Sequence, residues 1–197
     1  MRSRMHHQKG HLLVSLICFV LAGCGGGGGE STAETTGDET TGGEMTGGES
    51  AVAIADMQPT EGNEVSGTVR FEQTGEGLVV QVDLTGLPPS SQHGFHVHET
   101  GDCSAPDASS AGDHYNPEGH AHALPNGEAR HAGDMGNVEA DENGEVHHRM
   151  VIDTMSVDGE QPSVVGRAVI VHANPDDGGQ PTGNAGARIA CGVVQAS

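Results

Sequence analysis

From residue 51 onward, apolar and polar positions alternate in short runs, each bounded by turn residues. Successive side chains of a strand point to opposite faces, so alternation with period two marks a half-buried strand. Ala51 to Met57 is apolar and runs into the turn Gln58-Pro59-Thr60-Glu61-Gly62-Asn63. Val65 to Phe71 alternates and stops at Gln73-Thr74-Gly75-Glu76-Gly77. Leu78 to Leu84 places Val80, Val82 and Leu84 on one face. A longer connection, Gly86 to Gln92, leads to the run His93 to Glu99. Met135 to Ala140 and Val146 to Ile152 flank Asp141-Glu142-Asn143-Gly144, a tight hairpin signal. Val164 to His172 is strongly apolar, and Ile189 to Val194 ends the series. The pattern predicts eight strands, no helix and two long irregular loops, 100–134 and 173–188. This is an all-β class: an eight-stranded antiparallel Greek-key β-sandwich or flattened barrel. Structureless loops longer than about 15 residues are uncommon and usually functional.

Before residue 51 the pattern is different. Arg2, Arg4 and Lys9 precede an apolar run, Leu12 to Leu21, whose ten residues are too few to span a bilayer. Leu21-Ala22-Gly23-Cys24 follows, and it resembles the lipobox of bacterial lipoproteins. That resemblance implies cleavage before Cys24 and a diacylglycerol on its sulfur; the plainer alternative is a secretory signal in which Cys24 happens to fall. Residues 1–23 are then the signal peptide and residues 24–50 a lipidated cysteine with its tether. Residues 51–197 are the folded domain. The tether is Gly/Ser/Thr/Glu-rich and buries too little to offset the entropy of ordering, so disorder is expected. Its reach is roughly 25–30 Å. The expected location is the bacterial cell envelope, anchored to the membrane on the periplasmic or surface side. Gly25 stands where an inner-membrane retention aspartate would, which points to the outer membrane.

Composition narrows the picture further. With one Tyr, three Phe and no Trp, the core must be built of Val, Ile, Leu and Ala. That suffices for a β-sandwich. The net charge is −20, and beyond residue 23 five arginines and no lysine face 28 acidic residues. Binding to nucleic acid through phosphates is excluded on charge. Of the four cysteines, Cys18 leaves with the signal and Cys24 carries the lipid. Cys103 and Cys191 remain as an even pair in an oxidising compartment, so a Cys103–Cys191 disulfide is expected.

The chemistry lies in the histidines. His96 and His98 are two apart in a run with strand character, so their imidazoles share one face. His114, His122, His131, Asp134 and His172 follow. Imidazole-rich ligation suits copper and zinc, and a carboxylate among imidazoles suits zinc.

Four blocks carry a family resemblance. They are His93-Gly94-Phe95-His96-Val97-His98-Glu99, His114-Tyr115-Asn116-Pro117, Arg130 to Asn137 (RHAGDMGN) and Thr182 to Gly192 (TGNAGARIACG). In this order, over residues 51–194, they resemble copper/zinc superoxide dismutase. The resemblance implies one copper and one zinc per subunit. His96, His98, His114 and His172 would bind copper, and His114, His122, His131 and Asp134 would bind zinc, with His114 shared. Asp176 would accept hydrogen bonds from His96 and His122 and link the sites, although the neighbouring Asp177 leaves that choice open. Arg188 would guide the superoxide anion to the open side of the copper, on a loop pinned by the disulfide. The activity implied is conversion of superoxide to O2 and hydrogen peroxide by Cu(II)/Cu(I) cycling. His114 would let go of copper and carry a proton while still on zinc. The implied role is antioxidant defence in the envelope. A homodimer is compatible with the family, whose bacterial members use a dimer face of their own; some members are monomers.

Of the 13 histidines, His6, His7 and His11 leave with the signal. His93 lies at odd parity to the ligand face and is expected to be packed and hydrogen-bonded. His120 competes with His122; the offsets of eight from His114 and nine to His131 favour His122. His147 and His148 lie on a hairpin strand and are expected to be solvated. The loop after His172 lacks the lysines that longer family members carry there, which bears on rate and not on reaction. The rival readings are a non-enzymatic copper/zinc-buffering lipoprotein in the envelope and a purely structural β-sandwich.

Overall fold

In the computed structural model, which describes residues 50–159 and 161–197, the alternating runs become strands. They are β1 (Val52–Pro59), β2 (Ser66–Thr74), β3 (Gly77–Thr85), β4 (Gln92–His98), β5 (Asp134–Glu139), β6 (Val146–Ile152), β7 (Ala168–His172) and β8 (Arg188–Ala196). The expected signal peptide, Cys24 and the tether up to residue 49 lie outside the described residues. Among the described residues no helix is long and apolar enough to cross a membrane.

Two departures from the sequence pattern have simple causes. The apolar run from Val164 does not start β7; the strand begins at Ala168. Val164 is buried, but Gly166 takes φ +78° and the Arg167 amide donates to the Val164 carbonyl at 3.1 Å, so the chain turns there. An apolar run satisfies a buried loop as well as a strand. Residues 153–167 are therefore a third connection. A short 3-10 turn, Ser109–Ala111, also sits inside the first long loop.

The strands form one antiparallel sheet in the order β5-β4-β7-β8-β1-β2-β3-β6. The β3–β4 and β6–β7 connections cross to non-adjacent places, the Greek-key arrangement. The two edge strands, β5 and β6, are consecutive in the chain, so the sheet curls into a nearly closed barrel. Inside it, Ala53, Ala55 and Met57 of β1 meet Val69 and Phe71 of β2 and Leu78, Val80, Val82 and Leu84 of β3, all essentially inaccessible.

β4 and β7 differ from the other strands because both of their faces are covered. Phe95, Val97, Val169 and Val171 fill the barrel. On the outer face, Ala168, Ile170 and Cys191 pack with Ala108, Ala111 and Cys103 of the first long loop. The Cys103–Cys191 disulfide, with an S–S distance of 2.01 Å and Cα atoms 5.8 Å apart, joins the two layers. It spans 88 residues, and closing so long a loop in the unfolded chain stabilises by about 4–5 kcal/mol in the chain-entropy account. Replacing both cysteines by serine is therefore expected to lower the unfolding free energy by about 4 kcal/mol in denaturant titrations. A loss below about 1 kcal/mol would show that the outer packing alone holds the loop.

Candidate metal centre

β4 sends His96 and His98 to the outer face, the face opposite Phe95 and Val97. β7 pairs with β4 in the register His96↔Ile170 and ends in His172 on the same side. The first long loop returns along β4. The Tyr115 amide donates to the Val97 carbonyl, the Val97 amide to that of Gly133 and the Gly133 amide to that of Tyr115, each at 2.9 Å. This lacing sets His114 opposite His98 and delivers Asp134 at the first position of β5.

Two four-residue groups result. His96, His98, His114 and His172 form one, and His114, His122, His131 and Asp134 the other. In each, one candidate ligand atom per residue lies within 4.8 Å of the others, and every member is buried. His114 belongs to both. Its ring centroid is 4.1 Å from that of His96, 4.9 Å from His98, 5.4 Å from His122 and 5.5 Å from His131.

The hydrogen bonds show which nitrogens point inward. His96 Nε2 is bonded to Asp176 at 2.8 Å, His98 Nδ1 to the Gly112 carbonyl at 2.9 Å, and His172 Nδ1 to the Gly186 carbonyl at 3.1 Å. His122 Nε2 is bonded to Asp176 at 3.0 Å. The remaining nitrogens are buried with no hydrogen-bond partner: His96 Nδ1, His98 Nε2, His114 Nε2, His172 Nε2, His122 Nδ1 and His131 Nδ1. A buried polar atom left unpaired costs on the order of 1–3 kcal/mol; here four converge on one point, and His122 Nδ1 and His131 Nδ1 turn to a second, where only the Asp134 carboxylate meets them. With outer nitrogens bound to acceptors, neutral rings present lone pairs inward, which suits a cation. Around the second point Asp134 lies 2.8 Å from His114 Nδ1, 2.9 Å from His122 Nδ1 and 3.2 Å from His131 Nδ1. Three imidazoles and one carboxylate are a zinc donor set, and four imidazoles a copper one. The residues fit both metals.

Asp176, and not Asp177, is the buried carboxylate joining the two groups. Asp177 is exposed and receives the Asn184 amide. Gly183, at φ +75°, closes over Asp176; a Cβ there would lie 2.1 Å from Asp176 Oδ1, so no side chain fits. Arg188 is not on a loop as the sequence suggested. It is the first residue of β8, and its guanidinium donates to the carbonyls of Ala108 at 2.5 Å and Gly112 at 2.6 Å. The disulfide thus pins the loop bearing these acceptors, while Arg188 itself stands on a strand. Asn137 was part of a recognised block without a role. Its side chain brackets the Asp176 backbone, donating to the carbonyl at 2.9 Å and accepting from the amide at 2.7 Å. His93 is buried, between the His172 carbonyl at 2.8 Å and Ser91 Oγ at 2.7 Å. His147 and His148 are exposed.

Burial away from water disfavours the imidazolium and pushes His96 down to about 4 and His172 to about 3; His98 falls well below its ordinary value for the same reason. Burial opposes ionisation of Asp134 and Asp176. Hydrogen bonds outweigh it, from His114 to Asp134 and from His96 and His122 to Asp176, and both carboxyls sit below the usual range. The unfolded chain protonates these histidines near pH 6.5, whereas the fold resists until about 4 or below. Their contribution is thus fully present above about pH 6.5 and is lost as pH falls from there towards 4 and 3. The depressed carboxyls withdraw theirs only below about 4. The metal-free protein is expected to show a melting temperature that is level from about pH 7.5 to about 6.5 and declines from there to about pH 4.5. A flat profile would contradict the burial of neutral imidazoles.

Comparison with known proteins agrees with this geometry. Residues 65–194 match the family described as copper/zinc superoxide dismutase. The chain is 40% identical over 148 residues to superoxide dismutase [Cu-Zn] 2 of Aquifex aeolicus (strain VF5), covering 73% of this chain and 86% of that one. It is 43% identical over 137 residues to superoxide dismutase [Cu-Zn] of Paramecium bursaria Chlorella virus 1, covering 66% and 72%. A crystal structure of the clock protein EA4 superposes with a TM-score of 0.67 at 42% identity, covering 75% of this chain and 95% of that one. With the family matched over residues 65–194, relatives at 40% and 43% identity and both donor sets in place, this chain belongs to the copper/zinc superoxide dismutase family.

Proposed function

We propose that this superoxide dismutase holds copper through His96, His98, His114 and His172 and zinc through His114, His122, His131 and Asp134, and that it works at the cell envelope on a lipid anchor at Cys24. The observation that carries the ligand assignment is the convergence of four unpartnered imidazole nitrogens on one point and of His122 and His131 with Asp134 on a second, with His114 shared. Copper, when bound, supplies the one-electron exchange that turns two superoxide ions and two protons into O2 and hydrogen peroxide.

The chain's own residues do the rest. His98 and His172 are locked by the Gly112 and Gly186 carbonyls, so their Nε2 atoms keep a fixed direction. His114 has Nδ1 against Asp134 and Nε2 free towards the first group, so Nε2 is the atom that takes up a proton and hands it on. Asp176 orients His96 and His122 together. Arg188, fixed by two carbonyls, offers a planar cation to the incoming anion. Its charge reaches His98 and His172 strongly enough to help hold them neutral. A metal-buffering protein would need neither this arginine nor its clamp, which speaks against the non-enzymatic alternative.

The envelope reading rests on the Leu21-Ala22-Gly23-Cys24 signature and the Gly-rich stretch after it.

Two experiments check these assignments. Loaded with copper and zinc, the protein is expected to dismute superoxide well above free copper. His96→Ala should abolish this and Arg188→Ala should lower kcat/KM roughly 10- to 100-fold. Metal binding without activity would leave only the buffering role. Expressed with its leader in a bacterium, the protein should partition with membranes and into detergent, and Cys24→Ala should release it to the soluble fraction; equal partitioning of the two would remove the anchor.

A further inference from the structure

His120 and His122 are two residues apart on the same loop, with identical chemistry, yet only His122 faces the second group of ligands. The backbone around them differs in a definite way. Three side-chain amides in this part of the molecule each close a pair of hydrogen bonds on the N–H and C=O of one residue, as a neighbouring strand would. Asn137 does so for Asp176. Asn116 does so for His120, donating to its carbonyl at 2.9 Å and accepting from its amide at 3.0 Å. Gln180 does so for His122, with Nε2 donating to the carbonyl at 2.6 Å and Oε1 accepting from the amide at 3.2 Å.

The two histidine clamps have opposite results. His120 is turned to the rim, where Nδ1 meets the Arg130 carbonyl at 3.2 Å and Glu118 at 3.4 Å, and its side chain is 38% exposed. The His122 side chain is wholly buried between Asp134 and Asp176. The clamp on His120 comes from four residues away, within the same loop, whereas Gln180 reaches His122 from the second long loop, 58 residues away. The second loop therefore grips His122 twice, at the ring through Asp176 and at the backbone through Gln180. The stretch between these two grips is braced by Gly183, three residues beyond it. The Gly183 amide donates to the Gly179 carbonyl at 2.6 Å, and the Asp177 amide to that of Gly183 at 3.0 Å.

We propose that Gln180 is the positioning residue that selects His122 over His120 for the zinc position, and that through it the two long loops move as one body. This rests on the zinc assignment above. Two antiparallel hydrogen bonds fix the peptide planes on both sides of His122 and so the direction from which Nδ1 enters the site. Without them only the ring is held, the loop between His114 and His131 can slip, and His120 becomes a competitor of equal chemistry.

The test uses the full chain, with Zn(II) affinity read by competition against a chelator and Co(II) as the spectroscopic probe of the same position. Gln180 is exposed, so its replacement leaves the core intact. Gln180→Ala is expected to weaken Zn(II) about 10- to 100-fold, the range for partners that orient a ligand. Its Co(II) complex should show two overlapping visible spectra. Adding His120→Ala should restore a single spectrum, whereas His120→Ala alone should leave affinity and spectrum unchanged. Wild-type affinity and a wild-type spectrum in Gln180→Ala would overturn the proposal. Failure of the unaltered protein to give a tetrahedral Co(II) spectrum would instead overturn the zinc assignment and the proposal with it.

Discussion

Four buried imidazole nitrogens that face one another without a hydrogen-bond partner, beside two more that face only the Asp134 carboxylate, are the constraint on which the rest of the structure depends. Such an arrangement is unfavourable in itself, since each nitrogen has left water and found no donor. It persists because the surroundings leave the rings no alternative. β4 and β7 are covered on both faces, and the outer nitrogens are tied to carbonyls and carboxylates that turn the lone pairs inward. Metal binding is therefore coupled to the fold in both directions. The cation relieves a tension that the fold creates, and the fold keeps the ligands deprotonated for the cation.

The second requirement is to hold irregular loops over a strand with the precision of a strand. The protein uses a few covalent and polar devices for this. The disulfide and a small outer cluster of alanines and Ile170 seat the first loop. Asp176 ties the second loop to ligands from both elements. Side-chain amides supply backbone pairing where no strand is available. This explains how a chain with so few aromatic residues builds a rigid site: what it lacks in large side chains it replaces with directional bonds around the histidines.

Much of this was legible in the sequence. Alternating and continuous apolar runs located all eight strands, and the spacing of His96 and His98 placed two rings on one face. Four recognised sequence blocks hold five of the seven residues that the structure gathers into two groups; His122 followed from its offsets to His114 and His131, and His172 from the wider resemblance. What the sequence could not show is how main-chain atoms are used. The acceptors of Arg188 are carbonyls of Ala108 and Gly112, and a carbonyl leaves no mark in the residue code. Nor could it separate Asp176 from Asp177, adjacent and identical, which only the turn around Gly183 distinguishes. The apolar run at Val164 misled for a related reason, because a buried loop and a strand use the same residues.

One atom joins Arg188 to a histidine of the first group. The Gly112 carbonyl accepts a hydrogen bond from Arg188 Nη2 and another from His98 Nδ1. The Arg188 guanidinium and the His98 ring thus share a single acceptor, on a glycine at φ +73°. Any change that tilts this peptide plane alters both at once. A side chain at Gly112 would meet Glu99 Oε1 at 2.7 Å, so a substitution there would disturb the guanidinium and the ring together.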